Sequence, residues 1–201
     1  RSITPVIDVL NGVRIRCLKE DSKGNLWICT SRAGVYKLTT DGGVKKYDKS
    51  NGLNGELYRT VTELSDNTIL VAGDSGMSFI KDDDSVYNIG TQMINSKVLC
   101  TLQADDKTIF AGTDGNGIEV IRDGVIVGNF GKNEGLNSGV ILRMVEDSSG
   151  DGIFIVTSNS ICYMDKTQNI RVLKNFPYYN NYDIVNGKDG MLFVLSSAGI
   201  F

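Results

Sequence analysis

Eight residues in this chain carry side chains suited to gripping a polar or anionic ligand: Arg14, Arg32, Tyr58, Arg59, Asp74, Asp114, Asn116 and Asn159. A guanidinium fork matches a carboxylate through two parallel hydrogen bonds. A tyrosine offers a flat aromatic face on which a sugar ring can stack. Asp and Asn add further donors and acceptors, so the set fits a polar or anionic sugar. Catalysis is harder to assemble from what is present. The 201 residues contain no histidine, which removes imidazole acid–base chemistry, and no nucleophile motif or phosphate-binding loop occurs. Asp21, Asp66, Asp105 and Asp147 recur near turns, where they serve most simply to bond nearby backbone and not as the close carboxylate pair of a glycosidase. The run Asp82-Asp83-Asp84 lacks the alternating spacing of a calcium loop and reads as a solvated acidic turn. The cysteines Cys17, Cys29, Cys100 and Cys162 form no Cys-x-x-Cys pair and read as buried thiols acting as small hydrophobes. No catalytic residue, metal site or cofactor is expected.

The elements that must position the eight residues follow from composition and repetition. Hydrophobic residues are 41% of the chain and charged residues 22%, with 23 glycines against 2 prolines. That balance suits a globular chain with a real core and many tight turns. The net charge of -3, with no basic block, argues against a nucleic acid partner. No apolar run approaches the roughly 18 residues of a membrane helix, so no membrane contact is expected of this segment. The chain begins at Arg1 rather than Met, as expected of a mature or excised piece.

A unit of roughly 40 residues recurs. Its bulky anchors are Trp27, Ile69, Phe110, Phe154 and Phe193, and three residues after each comes a small one: Thr30, Ala72, Thr113, Thr157 and Ser196. Gly followed by an apolar residue comes next in four copies, and Ser160-Ile161 replaces it in the fourth unit. Ile15–Glu20 also matches Ile141–Glu146, and Asn51-Gly52-Leu53-Asn54 matches Glu134-Gly135-Leu136-Asn137 two periods later. Within the first unit, short runs of β-branched and aromatic residues bounded by Gly, Asp and Asn predict strands over 13–20, Leu26–Thr30, Val35–Leu38 and Val44–Tyr47. No stretch has a clean helical stripe. Four short strands per unit, repeated, describe blades of an all-β propeller. A lone blade cannot bury its two faces, and stacking blade on blade explains a bulky anchor in each copy. The expected units are 13–56, 57–97, 98–139, 140–181 and a truncated 182–201, with 1–12 as a lead-in or the outer strand of a preceding blade. This amounts to about four and a half blades of a larger ring.

The segment 13–36, with Glu20-Asp21, Gly24-Asn25-Leu26-Trp27-Ile28-Cys29-Thr30 and Gly34-Val35-Tyr36, closely resembles the two-component regulator propeller repeat, and the Gly-Leu connectors resemble that family's inter-blade segments. The resemblance extends over nearly the whole chain, from about residue 13 to 201. The second unit departs from it, with Ile69 and Ala72 where the family favours Trp and Thr. The resemblance implies an extracytoplasmic sensor domain of a membrane-anchored bacterial receptor with a kinase or cyclase output, and a glycan-derived or other small polar ligand. A protein-interaction scaffold is the alternative, and a propeller glycosidase or lyase a third. In such a fold the turns between second and third strands share a face with the connectors between blades. This loop face gathers the eight residues, with Arg14, Tyr58, Leu99 and Leu142 opening the innermost strands toward the central channel. An arc that is not closed would leave two blade faces exposed, to be covered by further blades or by self-association.

Overall fold

The computed structural model describes residues 8–90, 94, 96–176, 183–187, 190–196 and 199–201. The expected lead-in over 1–12 therefore lies mostly outside the described residues; its last part includes a single 3-10 turn at Asp8–Leu10. The first blade is β1 (Ile15–Glu20), β2 (Leu26–Thr30), β3 (Val35–Leu38) and β4 (Val44–Tyr47). The second is β5 (Tyr58–Glu63), β6 (Ile69–Gly73), β7 (Gly76–Ile80) and β8 (Val86–Gly90). The third is β9 (Val98–Gln103), β10 (Ile109–Thr113), β11 (Ile118–Arg122) and β12 (Val125–Phe130). The fourth is β13 (Ile141–Glu146), β14 (Gly152–Thr157), β15 (Ser160–Asp165) and β16 (Ile170–Asn175). The fifth is β17 (Asp183–Asn186), β18 (Leu192–Ser196) and β19 (Gly199–Ile200). Each sheet is an antiparallel meander in chain order, and β1, β5, β9, β13 and β17 neighbour one another in succession. The protein is thus a β-propeller of five blades, the fifth with three strands among the described residues, rather than four and a half.

Small turn residues explain why the units close so tightly. Thr30 Oγ1 donates to the Gly34 carbonyl (2.8 Å) and accepts from the Ala33 amide (2.9 Å); Thr113 does the same with Gly117 and Asn116, at 2.8 and 2.9 Å. The hydroxyl three residues after the anchor is therefore the pin of the second turn. The glycine it bonds is required by space. Gly34 has φ 75°, and a Cβ there would sit 2.1 Å from the Tyr47 carbonyl oxygen; Gly117 repeats this against Phe130. The connectors repeat as well. Short 3-10 turns at Lys49–Asn51 and Lys132–Glu134 end at the left-handed Gly52 and Gly135, and the following Leu53 and Leu136 are buried between blades.

The core is a series of inter-blade layers, and its register corrects one anchor. Pairing in the first hairpins sets Trp27 opposite Lys19, Leu70 opposite Thr62, Phe110 opposite Leu102, Phe154 opposite Val145 and Phe193 opposite Val185. The second anchor is Leu70, not Ile69. A shift of one residue along a strand reverses its face: Leu70 is buried forward with Ile109 of the third blade, and Ile69 backward with Trp27 of the first. Trp27 is 2% exposed, whereas the equivalent Phe193 is 40% exposed, because no described blade follows it. The opposite end mirrors this. Val61, Thr101, Met144 and Ile184 are buried at the inner-strand position facing the preceding blade, and Leu18, their equivalent in the first blade, is 56% exposed.

Candidate functional site

The inner strands carry a repeated irregularity that aims side chains at the rim. Register shifts fall at Ile15/Cys17 in β1, Tyr58/Thr60 in β5, Gly112/Thr113 opposite β9 and Ile141/Arg143 in β13. The extra residue in each bulge is Arg16, Arg59, Leu99 or Leu142. Bulges of this kind re-aim a side chain out of the sheet pattern. In the second blade Arg59 Nε donates to Asp74 Oδ1 at 2.6 Å, from the inner strand to the second turn. In the first blade the residue corresponding to Asp74 is Ser31, so Arg16 lacks that carboxylate; among the described residues it has no ion pair. Desolvation at the exposed rim, then the positive charges of Arg14 and Arg59, hold the Arg16 guanidinium below its ordinary pKa, against the opposing pull of Asp74. Three arginines and one aspartate thus share the inner rim of the first two blades. Such a surplus of forked donors is the arrangement that recognises carboxylates, sulfates and phosphates.

Arg14, Arg59 and Asp74 of the eight expected residues belong to this cluster. Arg16 was not among them; strand pairing, which sets Ile15-Arg16-Cys17 in the place of Tyr58-Arg59-Thr60, marks it. Arg32 lies apart, lining a cleft of about 260 Å³ with Ala33, Lys46, Asp48, Lys49 and Glu56. The Gly34 amide donates to the Glu56 carbonyl at 3.0 Å, so the second turn and the connector do share one face. Asp114, Asn116 and Asn159 occupy the second turns of the third and fourth blades, and local bonds use part of their capacity. The Asp114 amide donates to the Lys97 carbonyl at 2.9 Å, Asn116 Nδ2 to Glu119 Oε1 at 2.6 Å, and Asn159 Oδ1 accepts from Thr157 Oγ1 at 3.0 Å.

Tyr58 requires a correction. It is one residue before the bulge and turns into the core, 1% exposed. Its hydroxyl lies 3.0 Å from Asn54 Oδ1, 3.1 Å from Ser78 Oγ and accepts the Gly55 amide at 3.2 Å. It holds the connector in place and offers no face to a ligand. Two carboxylate readings change too. Asp82, Asp83 and Asp84 are bonded rather than merely solvated: Asp82 pairs with Lys23 at 2.6 Å, Asp83 bonds Ser85, and Asp84 takes Lys45 at 2.5 Å and the Tyr47 hydroxyl. Two of the three therefore tie the first blade to the second. In the first turn of the third blade it is Asp106, not Asp105, that accepts the Thr108 amide, at 3.0 Å.

Residues 9–32 match the family described as two component regulator propeller. The chain carries a two component regulator propeller repeat. That match covers β1, β2 and the turn that Asp21 organises. No curated protein matches the chain. Among solved structures, the extracellular domain assigned to the hybrid two component system BT3049 from B. thetaiotaomicron is similar at TM-score 0.75 and 20% identity, covering 92% of this chain and 26% of that one. The extracellular domain assigned to the one component system BT4673 from B. thetaiotaomicron gives 0.74 and 17%, covering 90% and 28%. A selenomethionine-substituted virginiamycin B lyase from Staphylococcus aureus gives 0.76 and 15%, covering 94% and 69%. At these identities the likeness establishes the propeller fold alone. The chain spans about a quarter of the length of these two extracellular domains. Among the described residues no helix is long and apolar enough to cross a membrane.

Proposed function

We propose that the chain is a ligand-sensing segment of an extracytoplasmic receptor propeller, taking an anionic, glycan-derived ligand at the arginine cluster. The observation that carries this reading is Arg16: a guanidinium beside two others, without the aspartate that its counterpart Arg59 has. A ligand carboxylate or sulfate would supply the missing negative charge. The family repeat at 9–32 and the likeness to extracellular receptor domains support the setting. The exposed faces at Leu18 and Phe193 support an arc that docks onto further blades of a larger ring or onto a second copy.

Calorimetric titration with a glucuronate-containing disaccharide tests the site. Saturable binding that weakens about tenfold in Arg16→Ala, the cost of one charge-assisted contact, is the expected outcome. Equal binding by the variant, or heat from a neutral disaccharide of the same shape alone, would remove the reading and leave the interaction scaffold. The lyase alternative rests on the third similar structure. A histidine-to-alanine variant of that lyase is catalytically inactive, and these 201 residues contain no histidine to fill such a role.

A further inference from the structure

A cavity lies on the other face of the propeller, among the first turns of the third and fourth blades and the last turn of the fourth. It measures about 330 Å³, within the size range of small-molecule sites, about 300–1,000 Å³. Its origin can be read from the repeat. The first hairpin of each of the first four blades is closed by one equivalent backbone bond, made by the amides of Asp21, Leu64, Ala104 and Asp147 to the carbonyls of Asn25, Thr68, Thr108 and Gly152. In the second blade Leu64 fills the interface toward the third. The third blade has only Ala104 at that position, and the bulk it lacks relative to Leu64 leaves the gap. Its floor is Phe110, Ile153 and Met164.

The mouth of the cavity is acidic, and two of its carboxylates are unspent. Asp165 is taken up by Thr167 and Asn169, and Asp106 by Thr108 with Arg122 at 3.8 Å. Lys166 points to Asp151 at 3.5 Å. Asp105 and Glu146 have neither a hydrogen bond to their carboxylates nor an ion pair among the described residues. The geometry points to a binding site for a small organic cation, its apolar body on Phe110, Ile153 and Met164 and its ammonium group between Glu146 and Asp105. Burial and the neighbouring Asp105 charge raise the Glu146 carboxyl above its usual range, the state that a bound cation would relieve. Among the described residues no three carboxylate, thiol or imidazole groups converge as metal ligands, so a cation with an apolar body fits where a bare ion does not. The site is independent of the arginine cluster, which has the opposite charge and lies on the other face.

The probe is phenethylammonium, followed through amide resonances of the isotopically labelled protein. Saturable shifts at Ala104, Asp105, Gly150 and Gly152 are expected, with no saturation by the anionic phenylpropionate. Combining Glu146→Gln with Asp105→Asn should weaken phenethylammonium by about tenfold or more and leave the thermal midpoint unchanged. Ala104→Leu, which installs the residue of the second blade, should abolish binding by filling the floor. Should that variant fail to fold, the charge-neutral pair still decides the matter. Equal shifts from cation and anion, no saturation by the cation, or undiminished binding in the neutral pair would each overturn the proposal.

Discussion

Asp21 accepts four donors: the amides of Lys23 (3.0 Å) and Asn25 (2.8 Å), the Asn25 side chain (3.0 Å) and the Trp27 indole N–H (2.8 Å). Its role as a turn residue was legible from the sequence; the bond to Trp27 was not, because spacing shows only that the two lie near one hairpin. Removing the carboxylate strands a buried indole N–H. Asp21→Ala should therefore cost about 2–3 kcal/mol in urea unfolding, and Asp21→Asn less. The pH dependence has a defined sign. Burial works to raise the Asp21 carboxyl, but its hydrogen bonds outweigh that and leave it below its ordinary value. Its stabilisation is complete above the unfolded-state pKa, about 3.9, and is lost as pH falls through the lower folded value. The thermal midpoint of the parent should drop over that acid window, and Asp21→Asn should drop less. Parallel curves for the two proteins would show that Asp21 is not a source of the acid sensitivity.

Elements were legible where residues pair with turn chemistry. The bounds of β2, β3 and β4 in the first blade follow the sequence reading residue for residue, because Thr30 and Gly34 mark the second turn from both sides. In the second blade Gly73 replaces that threonine, the turn shrinks, and the alignment slips by one residue onto Ile69. The bulges were invisible for a related reason: an extra residue in a strand looks like a register change, and only pairing to the neighbouring strand separates Arg16 from Arg14 or Arg59 from Tyr58. The glycine of the second turn gives a test at this scale. Gly34→Ala must adopt φ near 75° and meet the Tyr47 carbonyl, whereas Gly42 has a similar φ of 87° with nothing within 4 Å of a Cβ. Gly42→Ala should cost about 1–2 kcal/mol from the left-handed backbone alone, and Gly34→Ala clearly more. Equal losses in chemical denaturation would show that the close approach relaxes freely.

Among the described residues, the five blades bury four interfaces and leave two faces uncovered. Leu18 is exposed at a position that the other blades bury, and Phe193 is exposed at the position of Trp27. Val185, Met191, Leu195, Ile200 and Phe201 extend the exposed apolar surface of the fifth blade. The period of the repeat announced an arc, but the faces could be located only once the register showed which side of each strand meets the next blade. Apolar surfaces of this kind drive association in proportion to the area they remove from water. Sedimentation of the 201-residue protein should accordingly depend on concentration, with larger species at higher loading. Leu18→Lys and Phe193→Lys place a charge on one face or the other without touching a buried interface, so each should leave the folded spectrum intact and shift the protein toward monomer. The two variants also separate the modes of contact. If the faces meet head to tail, either lysine alone interrupts every contact, and the double variant adds little. If each face pairs with its own kind, the two effects are independent and only the double variant is fully monomeric. A parent that sediments as a monomer at every concentration would show that the exposed faces do not draw copies together.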